Sequence, residues 1–141
     1  MDCMSRKACL CSSGLDYSVC CRIYHKQEQI ADPEALMRSR YSAYALGLSD
    51  YIIATTHPQH KDFSSDTQSW AKQLQIFMQQ TDFYGLQVLA MQQVSPQQAH
   101  VIFKAFLSQG QVDVSFQEKS LFIFEKGRWL YQEALEIKAI S

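Results

Sequence analysis

The sequence predicts an α+β domain, three helices followed by an antiparallel meander, with a small cysteine-rich appendage at its N-terminus. Three observations predict it. Apolar residues recur at helical spacing up to about residue 80 and at a period of two beyond Phe83. Turn residues punctuate the second half at Ser95-Pro96, Gln109-Gly110 and Glu125-Lys126-Gly127-Arg128. All five cysteines, Cys3, Cys9, Cys11, Cys20 and Cys21, fall within the first 21 residues. Helices in one block and strands in the next indicate helices covering one face of a curved sheet. We divide the chain into residues 1–31, the appendage and its connector, and 32–141, the main domain.

Asp32-Pro33-Glu34 is a helix start, with an N-cap acceptor, proline in the first turn and an acid at the positive end of the helix dipole. Met37, Tyr41, Tyr44 and Leu48 then form one apolar stripe, and Gly47 ends the helix. Ser49-Asp50 is expected to cap a second, short helix that stops at His57-Pro58. A third runs from Asp66 to about Gln80, capped by Ser65 or Asp66, with Trp70, Leu74, Phe77 and Met78 as its apolar stripe. Four strands follow: one from Phe83, one through Val101, Phe103, Ala105 and Leu107, one from about Val112 to Phe124, and one from Trp129 to Ile137.

Composition removes several classes. With 47% hydrophobic and 19% charged residues over 141 positions, the chain is neither disordered, collagen-like nor a coiled coil. Its formal net charge of −1 gives no support to a phosphate-tracking surface. No apolar run approaches the ~20 residues of a membrane-spanning helix, and no apolar stretch follows Arg6-Lys7 as in a signal peptide. The expected location is the cytoplasm, where thiols stay reduced unless something binds them.

Cys9-x-Cys11 and the pair Cys20-Cys21 flank an eight-residue loop containing Gly14. Four thiolates so presented suit a closed, tetrahedral zinc site. Disulfides are the competing account: within-pair bridges would be strained, although cross-pairing of the two ends stays open, as do unliganded thiols. Cys3 is the unpaired thiol, read as incidental or as a spare ligand.

The segment Cys9-Leu10-Cys11-Ser12-Ser13-Gly14-Leu15-Asp16-Tyr17-Ser18-Val19-Cys20-Cys21 resembles the SEC-C zinc motif, a knuckle found at the C-terminus of the SecA motor and in many bacterial proteins. Tyr24-His25, Ala35-Leu36-Met37-Arg38-Ser39-Arg40-Tyr41-Ser42-Ala43-Tyr44 and Thr56-His57-Pro58 resemble the YchJ family. There a SEC-C knuckle precedes a cone-shaped nuclear transport factor 2-like (NTF2-like) domain. The resemblance implies zinc on Cys9, Cys11, Cys20 and Cys21, and a cone pocket. It also suggests a homodimer. Leu10 stands where the motif usually has proline, and Leu15 and Asp16 where it has lysines. Residues 1–31 hold four basic side chains against three acidic ones, so zinc tetrathiolate would leave the knuckle near neutral. A nucleic-acid or ribosome role carried by charge is therefore not expected. Many family members carry a second knuckle at the C-terminus. No cysteine follows Cys21, so bridging through two knuckles is not expected either.

Candidate pocket residues are Arg40, Tyr41, Tyr44, His57, His100 and Glu118. Arg38 and Arg40, two positions apart on a helix, point to different faces. Arg40 is expected to pair with an acid such as Glu118 or to bind an anion. His100 is placed facing inward, and His57 at a helix end. Tyr41 and Tyr44 are explained by core spacing alone. No nucleophile elbow, phosphate loop, paired-histidine motif or triad spacing is present. The expected function is a zinc-binding adaptor or ligand-binding protein, non-enzymatic, with a protein partner at the knuckle. The alternative is a small-molecule isomerase or dehydratase using a pocket histidine or acid. The knuckle and the domain are expected to have separate cores.

Overall fold

The computed structural model describes residues 8–27 and 32–140. Cys3 and most of the 26–31 connector, with the proposed domain boundary, lie outside the described residues. After a 3-10 turn at Tyr17–Val19, the helices are α1 (Cys21–Gln27), α2 (Pro33–Leu46), α3 (Ser49–Ala54) and α4 (Thr67–Gln80). The strands are β1 (Asp82–Ser95), β2 (Gln98–Gln109), β3 (Val112–Asp113), β4 (Phe116–Glu125) and β5 (Arg128–Ala139). They form one antiparallel sheet in the order β1-β2-β4-β5, with β3 paired to β2.

The local chemistry that predicts the helix ends is at work there. Asp32 caps α2 by accepting the Glu34 N–H at 3.1 Å, and Gly47 closes it at φ 77°. Asp66 caps α4 by accepting the Ser69 N–H at 3.1 Å. The β4–β5 hairpin turns through Lys126 and Gly127, both at positive φ, the pairing that suits a tight two-residue turn. On β2, Ala99, Val101, Phe103, Ala105 and Leu107 are buried while the residues between them are half-buried. Alternation thus decides which face meets the helices.

Several expectations change. Ser49 lies inside α3 rather than capping it, and its hydroxyl takes a hydrogen bond from Gln75 Nε2 at 3.2 Å. Helix α3 ends at Ala54, before His57-Pro58. There Thr55 and Thr56 turn their hydroxyls back onto the Tyr51 and Ile52 carbonyls, and the chain runs beside β5. The long third strand is two, β3 and β4. Ser115 Oγ, at the break, accepts the Leu107 N–H at 3.0 Å and replaces a ladder bond. The buried side of α2 is broader than the predicted stripe: it includes Leu36, Ser39, Arg40, Ser42 and Ala43, whereas Tyr44 and Leu48 are half-buried.

The last difference follows from the knuckle. It packs on α2, and Cys9, Cys11 and Cys21 belong to the same buried cluster as Leu36, Met37, Tyr51 and Phe122. The two cores are therefore continuous rather than separate. Arg38 Nη1 donates to the Cys11 carbonyl at 2.9 Å while its Nε binds Glu34. His25 joins the two parts from the other side. Its Nδ1 accepts the Tyr17 hydroxyl at 2.7 Å and its Nε2–H donates to the Ser39 carbonyl at 2.7 Å.

Candidate functional site

The first site is the cysteine cluster. The Sγ atoms of Cys9, Cys11, Cys20 and Cys21 all lie within 4.8 Å of one another, and none of the four forms a disulfide. The 3-10 turn and the start of α1 bring Cys20 and Cys21 back to the first pair. Ser12 and Gly14, both at positive φ, let the intervening loop reverse. Cys11 and Cys20 are 3.6 Å apart, and Cys20 and Cys21 4.0 Å. A tetrahedral ion with metal–sulfur bonds of ~2.3 Å requires sulfurs about 3.8 Å apart, so the donor set fits a metal of that kind.

The thiols cannot all ionise on their own. A hydrogen bond from Cys21 holds Cys11 down at about 4, the same bond together with burial drives Cys21 upward, and burial raises Cys9. A thiolate at Cys11 thus works against ionisation of Cys9 and Cys21, and a bound cation would remove that conflict.

The second site lies between α2 and the sheet. An inner cavity of about 190 Å³ is lined mainly by Met37, Phe77, Phe83, Phe103, Leu107 and Phe122. An outer cleft of about 540 Å³ abuts it, and the two share Arg40, Tyr44, Glu118 and Tyr131. Arg40 Nη1 lies within hydrogen-bonding distance of the Thr55 hydroxyl (2.8 Å), the Thr56 hydroxyl (3.1 Å) and the Ile52 carbonyl (3.2 Å). Its guanidinium carbon stands 4.6 Å from the centre of the Tyr131 ring. The Tyr131 hydroxyl donates to Glu118 Oε2 at 2.8 Å, and Ser120 donates to the same oxygen. Burial, with Glu118 beside it, raises Tyr131 far above the usual phenol range.

Of the sequence-predicted pocket residues, Arg40, Tyr41, Tyr44 and Glu118 line the inner cavity together. Arg40 forms no ion pair among the described residues: the Tyr131 ring takes its charge in place of Glu118. The Tyr41 hydroxyl is spoken for, donating to the Phe106 carbonyl and accepting the Gly85 N–H, and burial pushes it up to about 12. His57 and His100 stand outside the cavity. His57 Nε2 lies 3.1 Å from Glu125 at the β4–β5 hairpin, and its backbone N–H donates to the Tyr131 carbonyl. His100 lies on the opposite face of β2 from Val101 and Phe103, because strand positions alternate. The histidine that reaches the cleft is His60, whose ring centre lies 5.4 Å from that of Tyr131 and whose pKa is lowered by burial.

Sequence reasoning missed Tyr131 and His60 as site residues, and His25 as a clasp. Tyr131 was legible in part, since it faces Phe122 across the β4–β5 hairpin once the turn at Lys126-Gly127 sets the register. His60 had no such signal, because it lies in an irregular loop.

Comparison with known proteins agrees with this architecture. Residues 32–134 match the family described as YchJ, middle NTF2-like domain. A UPF0225 protein of Haemophilus influenzae (strain PittEE) is 34% identical over 124 residues, 87% of this chain and 74% of its own. One from Actinobacillus succinogenes is 37% identical over 130 residues, 89% and 80% of the two chains. The solution structure of a SEC-C motif containing protein from Rhodopseudomonas palustris, 35% identical, superposes with a TM-score of 0.77 over 96% of this chain and 100% of that one. Both the cysteine cluster and the cone behind it thus have counterparts, and the chain belongs to the YchJ family of SEC-C, NTF2-like proteins.

Proposed function

We propose that this protein is a non-enzymatic zinc-binding module in which a SEC-C knuckle offers a protein-binding surface and the cone holds a small ligand. The observation that carries the reading is the four-sulfur cluster, whose spacing matches a tetrahedral thiolate site. Zinc is the fitting ion, because it favours four soft ligands and imposes no geometry of its own. Leu10, Leu15, Val19 and Ile23 are exposed on the knuckle, in support of an apolar partner surface rather than a charged one. No described helix is long and apolar enough to cross a membrane. The cytoplasmic assignment, the protein partner, the homodimer and the exclusion of nucleic acid belong to the same reading.

The isomerase or dehydratase alternative rests on Glu118, the carboxylate inside the cavity, now that His57 and His100 stand outside it. Elemental analysis of protein purified without a histidine tag, with thiol titration before and after chelation, tests the main reading. One zinc per chain and four thiols released by chelator are expected. Metal-free protein with reversibly reducible disulfides would overturn it.

A further inference from the structure

The polar end of the inner cavity holds two opposite charges, each with an unused side. Arg40 and Glu118 are both 7% exposed. On Arg40 every hydrogen bond falls on Nη1; Nε and Nη2 have no acceptor among the described residues. On Glu118 both donors meet Oε2, and Oε1 has none among the described residues. Buried polar groups are ordinarily satisfied, so atoms left without a protein partner where the apolar chamber meets the outer cleft indicate what can bind there. Tyr131 occupies the space between the two charges, giving its ring face to one and its hydroxyl to the other.

We propose that the cavity binds a small, uncharged molecule with a single-ring apolar body and a head carrying a carbonyl beside an N–H, as in a primary carboxamide. The carbonyl accepts from Arg40, and the N–H donates to Glu118 Oε1. The proposal rests on the ligand-binding half of the function proposed above. Neutrality follows from the two charges: an anion would gain Arg40 but face Glu118, and a cation would meet the reverse. The size follows from the volume, since an apolar cavity of ~150 Å³ already takes benzene, leaving room in about 190 Å³ for a ring and a short head. The chamber's aromatic lining suits such a ring in edge or offset contact.

The test is a chemical-shift titration of the full, metal-loaded chain with benzamide, benzoate, benzylamine and toluene. Benzamide is expected to bind at least tenfold more tightly than either charged probe, with shifts at Tyr44 and Tyr131. In Glu118→Gln, benzoate should gain on benzamide by tenfold or more, because the opposing charge is gone. Arg40→Met should abolish the preference for benzamide over toluene. Toluene binding without a benzamide preference, or benzoate binding more tightly than benzamide, would overturn the head-group assignment and leave a ligand cavity standing. No binding of any probe to folded protein would overturn the ligand-binding reading as well.

Discussion

The thiol cluster and the cone cavity both bury groups able to carry charge, and they resolve the cost in opposite ways. In the cluster, four groups that can only become negative crowd within 4.8 Å, and a thiolate at Cys11 pushes Cys21 and Cys9 upward. Such a donor set suits a cation from outside. In the cavity, a guanidinium and a carboxylate share the phenol between them, so the protein supplies both signs itself. One site therefore suits an ion, and the other suits the neutral molecule proposed above. Helix α2 serves both, with Arg38 turned to the knuckle and Arg40, two positions on, turned to the cavity.

The largest expected effect breaks the cation-dependent side. Because the cysteines share the buried cluster of the domain, Cys11→Ser or exhaustive chelation should destabilise the entire chain by roughly 4 kcal/mol, as loss of a structural metal does. Thermal unfolding would read it; an unshifted domain transition would restore the picture of separate cores. Next comes the self-neutralised side. Arg40→Met or Glu118→Gln alone leaves a buried charge less compensated and should cost about 3 kcal/mol, while the double variant should cost clearly less than the sum. Strict additivity in a denaturant series would show that the two charges do not sense each other.

A smaller effect tests the join. Arg38→Ala removes a partly exposed link to the Cys11 carbonyl and should cost about 1 kcal/mol, with faster chelator access to the thiols as its signature. The pH dependence of stability concerns His25. Burial lowers its pKa below the ordinary 6.5, so between the two values the unfolded chain binds a proton that the folded chain does not. Its contribution is therefore fully present above about pH 6.5 and lost as pH falls toward the lowered value. Midpoints measured from pH 8 to 5 should decline, and less steeply in His25→Phe. The smallest change is His100→Ala, expected to stay within ~0.5 kcal/mol and to leave probe binding in the cavity unaltered.

How much of this was legible depended on whether a feature is local. The cysteine spacing, the Asp32 and Asp66 caps, the Gly47 stop and the alternation on β2 are decided by neighbours in sequence, and each stands where the residues put it. Arg38 and Arg40 diverge as helical spacing requires. The features that escaped are tertiary. Ser49 has the chemistry of a cap, but Gln75 from α4 takes its hydroxyl. Ser115 interrupts a strand because it reaches Leu107 across the sheet. His57 and His60 differ only in which way an irregular segment turns after α3, and β5 decides that by pairing with residues 55–57.

The Ser12 hydroxyl, placed by its positive φ, accepts the Leu86 N–H at 3.0 Å. Leu86 belongs to β1, an outer strand of the sheet. Outer strands present backbone groups on which a second chain can grow, and proteins cover them to prevent it. Through this bond the knuckle occupies the edge at Leu86, and unfolding it would bare that position on a strand that also carries the exposed apolar residues Leu89, Met91 and Val94. The damage from losing the cysteine cluster would then appear as self-association, visible by light scattering, as well as lost stability.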